Sequence, residues 1–574
     1  MAVICSSAAA VCRFGSFEFN RSTGELRRAG SEIKLPLQPA RVLALLTVRA
    51  GELVTREEIR RTIWGDETFV DFELGLNLCI NRIRTALGDA ARAPAYIETV
   101  PRRGYRFVAS IAPVWTAPLT LAVLPFENLN HYPDEDFFGD AVADALTTEL
   151  GNVSTLRVIS RQSVLHLKGS RKTVPEIARD LKVDVVVEGS VLVAGNSIRI
   201  TTQLVQAMPE QHLWAKAYAC QMGDVLTMEG QVARDIAEAV QATVTAAEIG
   251  RLSRRRPVDP EGHVAYLRAR HHLAQNSLEG FQKGLRYLHI ALENDPTHAL
   301  AYAHMALCYS LLGFWGHLPI PEAYPRAKKA ALEAIVLDDA LSVAHSALGW
   351  VSWLQDWDLA TCEAETLRAI DLNPSDERAH MTYAVFLAII REDRAKALGE
   401  VKLALDLDPL SLGVNTDAAW VHLFVGDYHR ALQQARTTLD LFPDALQAWY
   451  VVGWSELAFS RFDAAIGAFE KAASISRDAL SVGYLGHAHA RAGHLDAAAS
   501  LLGELLSRLE RAYVPAKPFV CLYAGLGERD RVIEWLEKAY QDRDPILFWL
   551  RAVPIFEPMA QLIQTWTRER LPHL

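Results

Sequence analysis

Cysteine is scarce in this chain, and its spacing is unsuited to pairing. The seven cysteines, at 5, 12, 79, 220, 308, 362 and 521 of 574 residues, include no CxxC and make an odd count. This argues against a disulfide framework and points to reduced, mostly buried thiols in a cytosolic protein. Basic residues are absent before Arg13, so the opening MAVICSSAAAVC lacks the positive start of a secretory signal. Uninterrupted apolar runs are missing as well, with one stretch to weigh. Residues 107–126 carry no charge over twenty positions, the length of a membrane span. Pro113, Pro118 and Pro125 interrupt that stretch, and Leu119, Leu121 and Val123 alternate with strand period. It reads as the last strand of one domain, a linker over 111–118, and the first strand of the next. No membrane span and a cytoplasmic location are expected.

Half of the residues are apolar and 22% are charged, the balance of a globular protein, and the length demands several domains. The formal net charge is −10. Residues 13–110 nevertheless hold 16 Lys and Arg against 12 Asp and Glu. Within them 13–73 balances, whereas 74–110 has six basic residues against two acidic. A localised basic footprint on an acidic chain predicts a polyanion partner at one end.

In that N-terminal region, short alternating runs in RFGSFEFNRSTGELRRAGSEIKLPL predict a small antiparallel sheet. QPARVLALLTVRAG has the spacing of a core helix, with Val42, Leu45 and Leu46 inward. VTREEIRRTIWG opens on a capping box, Thr55 with Glu58, and stops at Gly65. A third helix over about 72–87 buries Leu76, Ile80, Ile83 and Leu87, and a second stripe carries Asn77, Asn81 and Arg84 with Arg82 and Thr85 beside it. The closing YIETVPRRGYRFVA reads as a hairpin with two arginines at a glycine turn. Three helices and a terminal hairpin make a winged helix-turn-helix, whose third helix enters a major groove while the hairpin tip meets the backbone.

Taken together, LVTREEIRRTIWGDETFVDFELGLNLCINRIRTALGD and YIETVPRRGYRF resemble the OmpR/PhoB-type DNA-binding domain over nearly all of 13–110. The resemblance implies groove or phosphate contacts from Asn81 and Arg82, a wing tip of Arg102 and Arg103, and Tyr105 bracing the wing or touching the backbone. Asn77 and Arg84 complete the candidate DNA-binding residues. Many relatives carry a receiver domain before this one; here twelve residues precede it, so phosphorelay control within this chain is not expected.

Residues 119–247 alternate strand and helix and predict an α/β layer. AVLPFENL, LRVISRQSV, VDVVVEGSV and HLWAKAY are similar to a TolB N-terminal-like α/β domain. The segment has no phosphate loop, no paired catalytic carboxylates and no metal-ligand cluster, and His166 and His212 read as surface or core residues. No enzyme activity, metal or cofactor is expected.

From 262 to 550 the sequence repeats. ALENDP, AIDLNP, ALDLDP and TLDLFP are helix ends stopped by proline, and the last three prolines, at 374, 409 and 443, step by about one 34-residue unit. GDYHRAL and SRFDAAIGAFEKAASI extend the pattern, which resembles the tetratricopeptide repeat, with Trp449, Gly453, Ala465, Phe469 and Ala472 at packing positions. About eight helical hairpins follow, with 551–574 as cap or tail. The resemblance implies an all-α solenoid that binds a protein or peptide partner on its concave face. Trp350, Trp353, Trp357 and Trp420 read as core in preference to pocket anchors, and His487, His489 and His494 lack the companions a metal site needs.

The expected fold is thus multidomain α+β: a winged helix-turn-helix, a small α/β domain and a tetratricopeptide solenoid. The expected function is sequence-specific transcriptional regulation on double-stranded DNA, with the array as signal input. The alternative is a scaffold whose winged helix mediates protein contacts.

Overall fold

A computed structural model describes residues 11–571 apart from 29–30, 65–71, 110–111, 115–117, 131–136, 171, 209, 241, 255–256, 274–276, 551, 554–555 and 557–558. The chain divides into two compact units, 1–119 with 206–211, and 120–205 with 212–574.

The first unit opens with four short strands, β1 (Val11–Phe14), β2 (Phe17–Asn20), β3 (Leu26–Arg28) and β4 (Ser31–Ile33), each antiparallel to the next. Alternation decides their faces: Phe17 and Phe19 are buried, while Glu18 pairs outward with Arg13. There follow α1 (Leu37–Val48), β5 (Leu53–Thr55), α2 (Arg56–Ile63), α3 (Phe72–Leu87), β6 (Ile97–Val100), β7 (Gly104–Phe107) and β8 (Ala112–Val114). The strands form two sheets, ordered β4-β3-β2-β1-β8 and β5-β7-β6. Phe14 and Phe19 share one core with Val42 and Leu46 of α1, Ile59 of α2, Leu76, Ile80 and Ile83 of α3, and Phe107. The Thr55–Glu58 capping box forms in both directions. The expected stop at Gly65 lies outside the described residues. Residues Ala112–Val114, expected within a linker, instead form a strand against β1, whose free edge supplies the hydrogen-bonding groups.

The second unit begins with β9 (Leu119–Val123), β10 (Glu127–Asn128), α4 (Phe137–Gly151), β11 (Leu156–Val158), α5 (Arg161–Leu165) and α6 (Val174–Leu181). It continues through β12 (Val185–Ala194), β13 (Ser197–Ala207), β14 (Glu210–Gln221), α7 (Val225–Ala239) and α8 (Ala246–Leu252). The sheet runs β11-β9-β12-β13-β14, with β9 and β10 parallel to β12. Helix α7 ends at Ala239, and a separate helix begins after Thr245. Thr245 starts α8 with its own capping box to Glu248, and that carboxylate also accepts from the Ser154 amide at 2.8 Å.

Among the described residues eight antiparallel helical hairpins follow, from Pro260–Leu273 with Leu278–Asn294 to Lys517–Leu526 with Arg529–Asp542. Gly453 lets the sixth hairpin close, because a Cβ there would stand 2.4 Å from the Phe469 ring. A repeated bond fastens the hairpins. His345, His380, Asn415 and Trp449, 34 or 35 residues apart, each reach a backbone carbonyl six residues earlier, at 2.9–3.1 Å. Trp449, expected as a packing residue, is therefore half-exposed and caps Pro443, while Trp454 is the buried ring.

The α/β domain is bonded to the turns of this array. Ser163 donates from its amide and hydroxyl to Asp408 Oδ1 (3.0 and 2.6 Å), and its Oγ accepts from the Leu410 amide at 2.8 Å. The Ser160 amide donates to the Leu407 carbonyl at 2.8 Å, and the Val158 amide to Ser375 Oγ at 3.1 Å. His166 lies against the Phe442 ring, and Asp144 of α4 pairs with Arg270 of the first hairpin.

Candidate nucleic-acid interface

Helix α3 is held by one face, which leaves the other open. Leu76, Ile80, Ile83 and Leu87 are buried; Leu78, Asn81, Arg82 and Thr85 are exposed. Beneath the open face, three groups fix the helix to its neighbours. Arg56 of α2 pairs with Glu73, lies over the Tyr105 ring at 5.3 Å and donates to its hydroxyl at 3.1 Å. Tyr105 in turn donates to Asn77 Oδ1 at 3.0 Å. Burial pushes the Tyr105 hydroxyl above its ordinary value, so it keeps that proton.

The wing is shaped by a close approach. Gly104 lies opposite Thr55 in the sheet, and a Cβ there would come within 2.0 Å of the Val54 carbonyl. The turn before it closes through the Arg103 amide to the Val100 carbonyl at 3.0 Å, with Arg102 in the left-handed region at φ 61°. Both arginines are exposed at the tip.

The sequence-derived residues thus separate into two groups. Asn81, Arg82, Arg102 and Arg103 are exposed on α3 and the wing. Tyr105 braces the wing from within, and Asn77, though exposed, has its amide oxygen engaged by Tyr105. Arg84 is a correction. Its guanidinium is buried and donates to the Ile97 carbonyl at 2.8 Å and Thr99 Oγ1 at 2.9 Å, locking α3 to β6. Arg84 sits where helix period places it over the hairpin, and that inter-element contact left no mark in the sequence.

Most arginines of the domain away from α3 and the wing are paired, though Arg28 and Arg41 form no ion pair among the described residues. Arg13, Arg27, Arg49, Arg56, Arg60, Arg61 and Arg106 are each bonded to a carboxylate. Arg82, Arg102 and Arg103 form no ion pair among the described residues. Nor does Arg92, exposed between α3 and β6, which sequence reasoning passed over because it lies in no periodic segment.

With this geometry in view, the relatives are informative. Residues 30–107 match the family "Transcriptional regulatory protein, C terminal", and 416–479 match "Tetratricopeptide repeat". The chain carries the DNA-binding domain of a transcriptional regulator. Transcriptional regulator HilA of Salmonella typhimurium is 23% identical over 432 residues, 74% of each chain. Transcriptional regulatory protein AfsQ1 of Streptomyces coelicolor is 30% identical over 93 residues, 16% of this chain and 41% of its own. Putative adenylate cyclase 3 of Rhizobium meliloti is 32% identical over 275 residues, 47% of this chain; the match spans 45% of that relative's length. The chain therefore joins a winged helix to tetratricopeptide repeats. No helix among its described residues is long and apolar enough to cross a membrane.

Proposed function

We propose that this regulator works in the cytoplasm by placing α3 in the major groove of a specific double-stranded site, with the wing on the adjacent backbone. The carrying observation is the clustering on α3, the segment after it and the wing of four exposed arginines, Arg82, Arg92, Arg102 and Arg103, that form no ion pair among the described residues. Of the domain's other exposed cations, most arginines are paired, and Arg28 and Lys34 form no ion pair among the described residues. A cation with no internal partner gives up only hydration when it meets phosphate. Asn81 presents an amide suited to adenine N6 and N7, and Leu78 an apolar contact for a thymine methyl. The array supplies the docking face for a protein or peptide that carries the signal, and such a partner acts by preferring one state of the chain over another.

Binding of the full chain to genomic duplex fragments, followed by fluorescence anisotropy at several salt concentrations, tests this reading. Four phosphate contacts predict a log-affinity against log-salt slope of roughly −3 to −4. A folded chain with no salt-dependent duplex binding would leave the scaffold role in its place.

A further inference from the structure

Inside the second unit, α4 and α5 and the inner helices of the array enclose two cavities of about 280 and 150 Å³. They share a wall that includes Gln162, Ser346, Glu377 and Arg378, so the space runs from the α/β domain into the array. Together they fall in the range of small-molecule sites, roughly 300–1,000 Å³.

Three charged side chains share this wall, and Arg378 lies near enough to both carboxyls to lower them. Arg378 faces the space and forms neither ion pair nor hydrogen bond among the described residues, and Glu377 and Asp417 form no ion pair there either. Burial pushes the Asp417 carboxyl up to about 6 and, with Asp408 and Asp376 nearby, the Glu377 carboxyl up to about 8. Burial makes both carboxyls costly to ionise, and Arg378, itself exposed, relieves that cost only in part. The far wall is aromatic. Trp350, Trp353, Trp420 and Trp549 line it, and a wide helical turn over Ser352–Asp356 sets Trp353 in place. Two more polar atoms at the wall, Ser346 Oγ and Trp353 Nε1, are buried without a hydrogen-bond partner among the described residues.

A pure anion would draw Arg378 away from both carboxyls, and a pure cation on the carboxyls would leave Arg378 without a close partner. We propose that this interior is a binding site for a small zwitterion with an apolar side chain, an α-amino acid. Its carboxylate lies on Arg378, its ammonium between Glu377 and Asp417, and its side chain against Trp350, Trp353 and Trp420. Guanidinium suits the carboxylate through paired N–H donors, and indole faces suit both the side chain and the edge of an ammonium. The site shares no residue with α3 or the wing, so it is measured without DNA.

The test is calorimetry and thermal shift on the full chain with L-phenylalanine, L-tryptophan and L-leucine. Phenethylamine and 3-phenylpropionate serve as half-molecules lacking one charge. At least one amino acid should bind and raise the unfolding temperature, and each half-molecule should bind at least tenfold more weakly. Arg378→Met and the near-isosteric Asp417→Asn should each weaken the amino acid at least tenfold, with the ligand-free unfolding temperature unchanged. If Arg378→Met fails to fold, Asp417→Asn decides alone. No binding by any of the three amino acids, half-molecules as tight as the zwitterion, or folded variants that bind as the parent does would overturn the assignment.

Discussion

Arg82 and Arg84 lie two positions apart on α3, and their guanidinium groups meet different surroundings. Arg84 satisfies a buried carbonyl and hydroxyl, whereas Arg82 faces outward with no partner among the described residues. Arg84→Met should therefore cost about 1–3 kcal/mol of local stability, because the Ile97 carbonyl is left buried and unpaired. Native-state hydrogen exchange at the β6 amides reads this directly, and unchanged protection there would sink the idea. Arg82→Ala should leave those amides alone and reduce the salt slope of duplex binding by about one. The wing and the groove separate in the same way. Replacing Arg102 and Arg103 together by alanine should weaken every duplex alike, while Asn81→Ala should change the ranking among sequences. A selection from randomised duplexes with each variant tells the two outcomes apart.

Among the elements, periodicity carried most of the reading. Leu76, Ile80, Ile83 and Leu87 repeat at helical spacing, and they are the buried face of α3. The Thr55–Glu58 cap was equally legible, since both partners are local in sequence. What escaped were contacts between elements: β8 on β1, Arg84 on β6, and the array tryptophans that line a cavity as well as a core. Each depends on where a distant segment lands. The bonds that fasten the hairpins make a further case, for His380 looks unremarkable until Glu400 is found 2.6 Å away. Burial alone would lower its pKa, but Glu400 and the Pro374 carbonyl outweigh burial and raise it. A raised histidine adds stability that is complete below the unfolded value of about 6.5 and fades as pH climbs through the folded one. Between pH 6 and 8 the parent should thus lose unfolding temperature relative to Glu400→Gln; parallel curves would refute the coupling. His487 works in the opposite sense. Burial pushes it down to about 3, so acidification from about 6.5 toward that value favours the unfolded chain, which takes up the proton.

At the scale of the molecule, the α/β domain and the array share one compact unit, and the bonds at Ser163, Ser160 and Val158 join them. Removing the acceptor with Asp408→Ala should speed exchange of the Ser163 and Leu410 amides at least tenfold. The Ala448 amide, in the sixth hairpin, should exchange as before. Equal exchange at all three would mean that Asp408 contributes nothing to the seam. The spacing of these bonds has a mechanical consequence. A solenoid of repeats ordinarily behaves as a spring, each unit touching only its neighbours and flexing at every turn. Here Arg254 reaches the turn at Asp338, Val158 the turn at Ser375, Ser160 and Ser163 the turn at Leu407–Leu410, and His166 the turn at Phe442. Four successive turns are riveted to one plate. Bending there would have to shear a folded sheet domain, so the middle of the array is stiff. The array's C-terminal end is held as well, for Trp549 packs on Trp420 and Phe314 and Arg543 lies over the Trp357 ring. A pull applied at the C-terminal end would have to break those ring contacts before it could unwind a repeat.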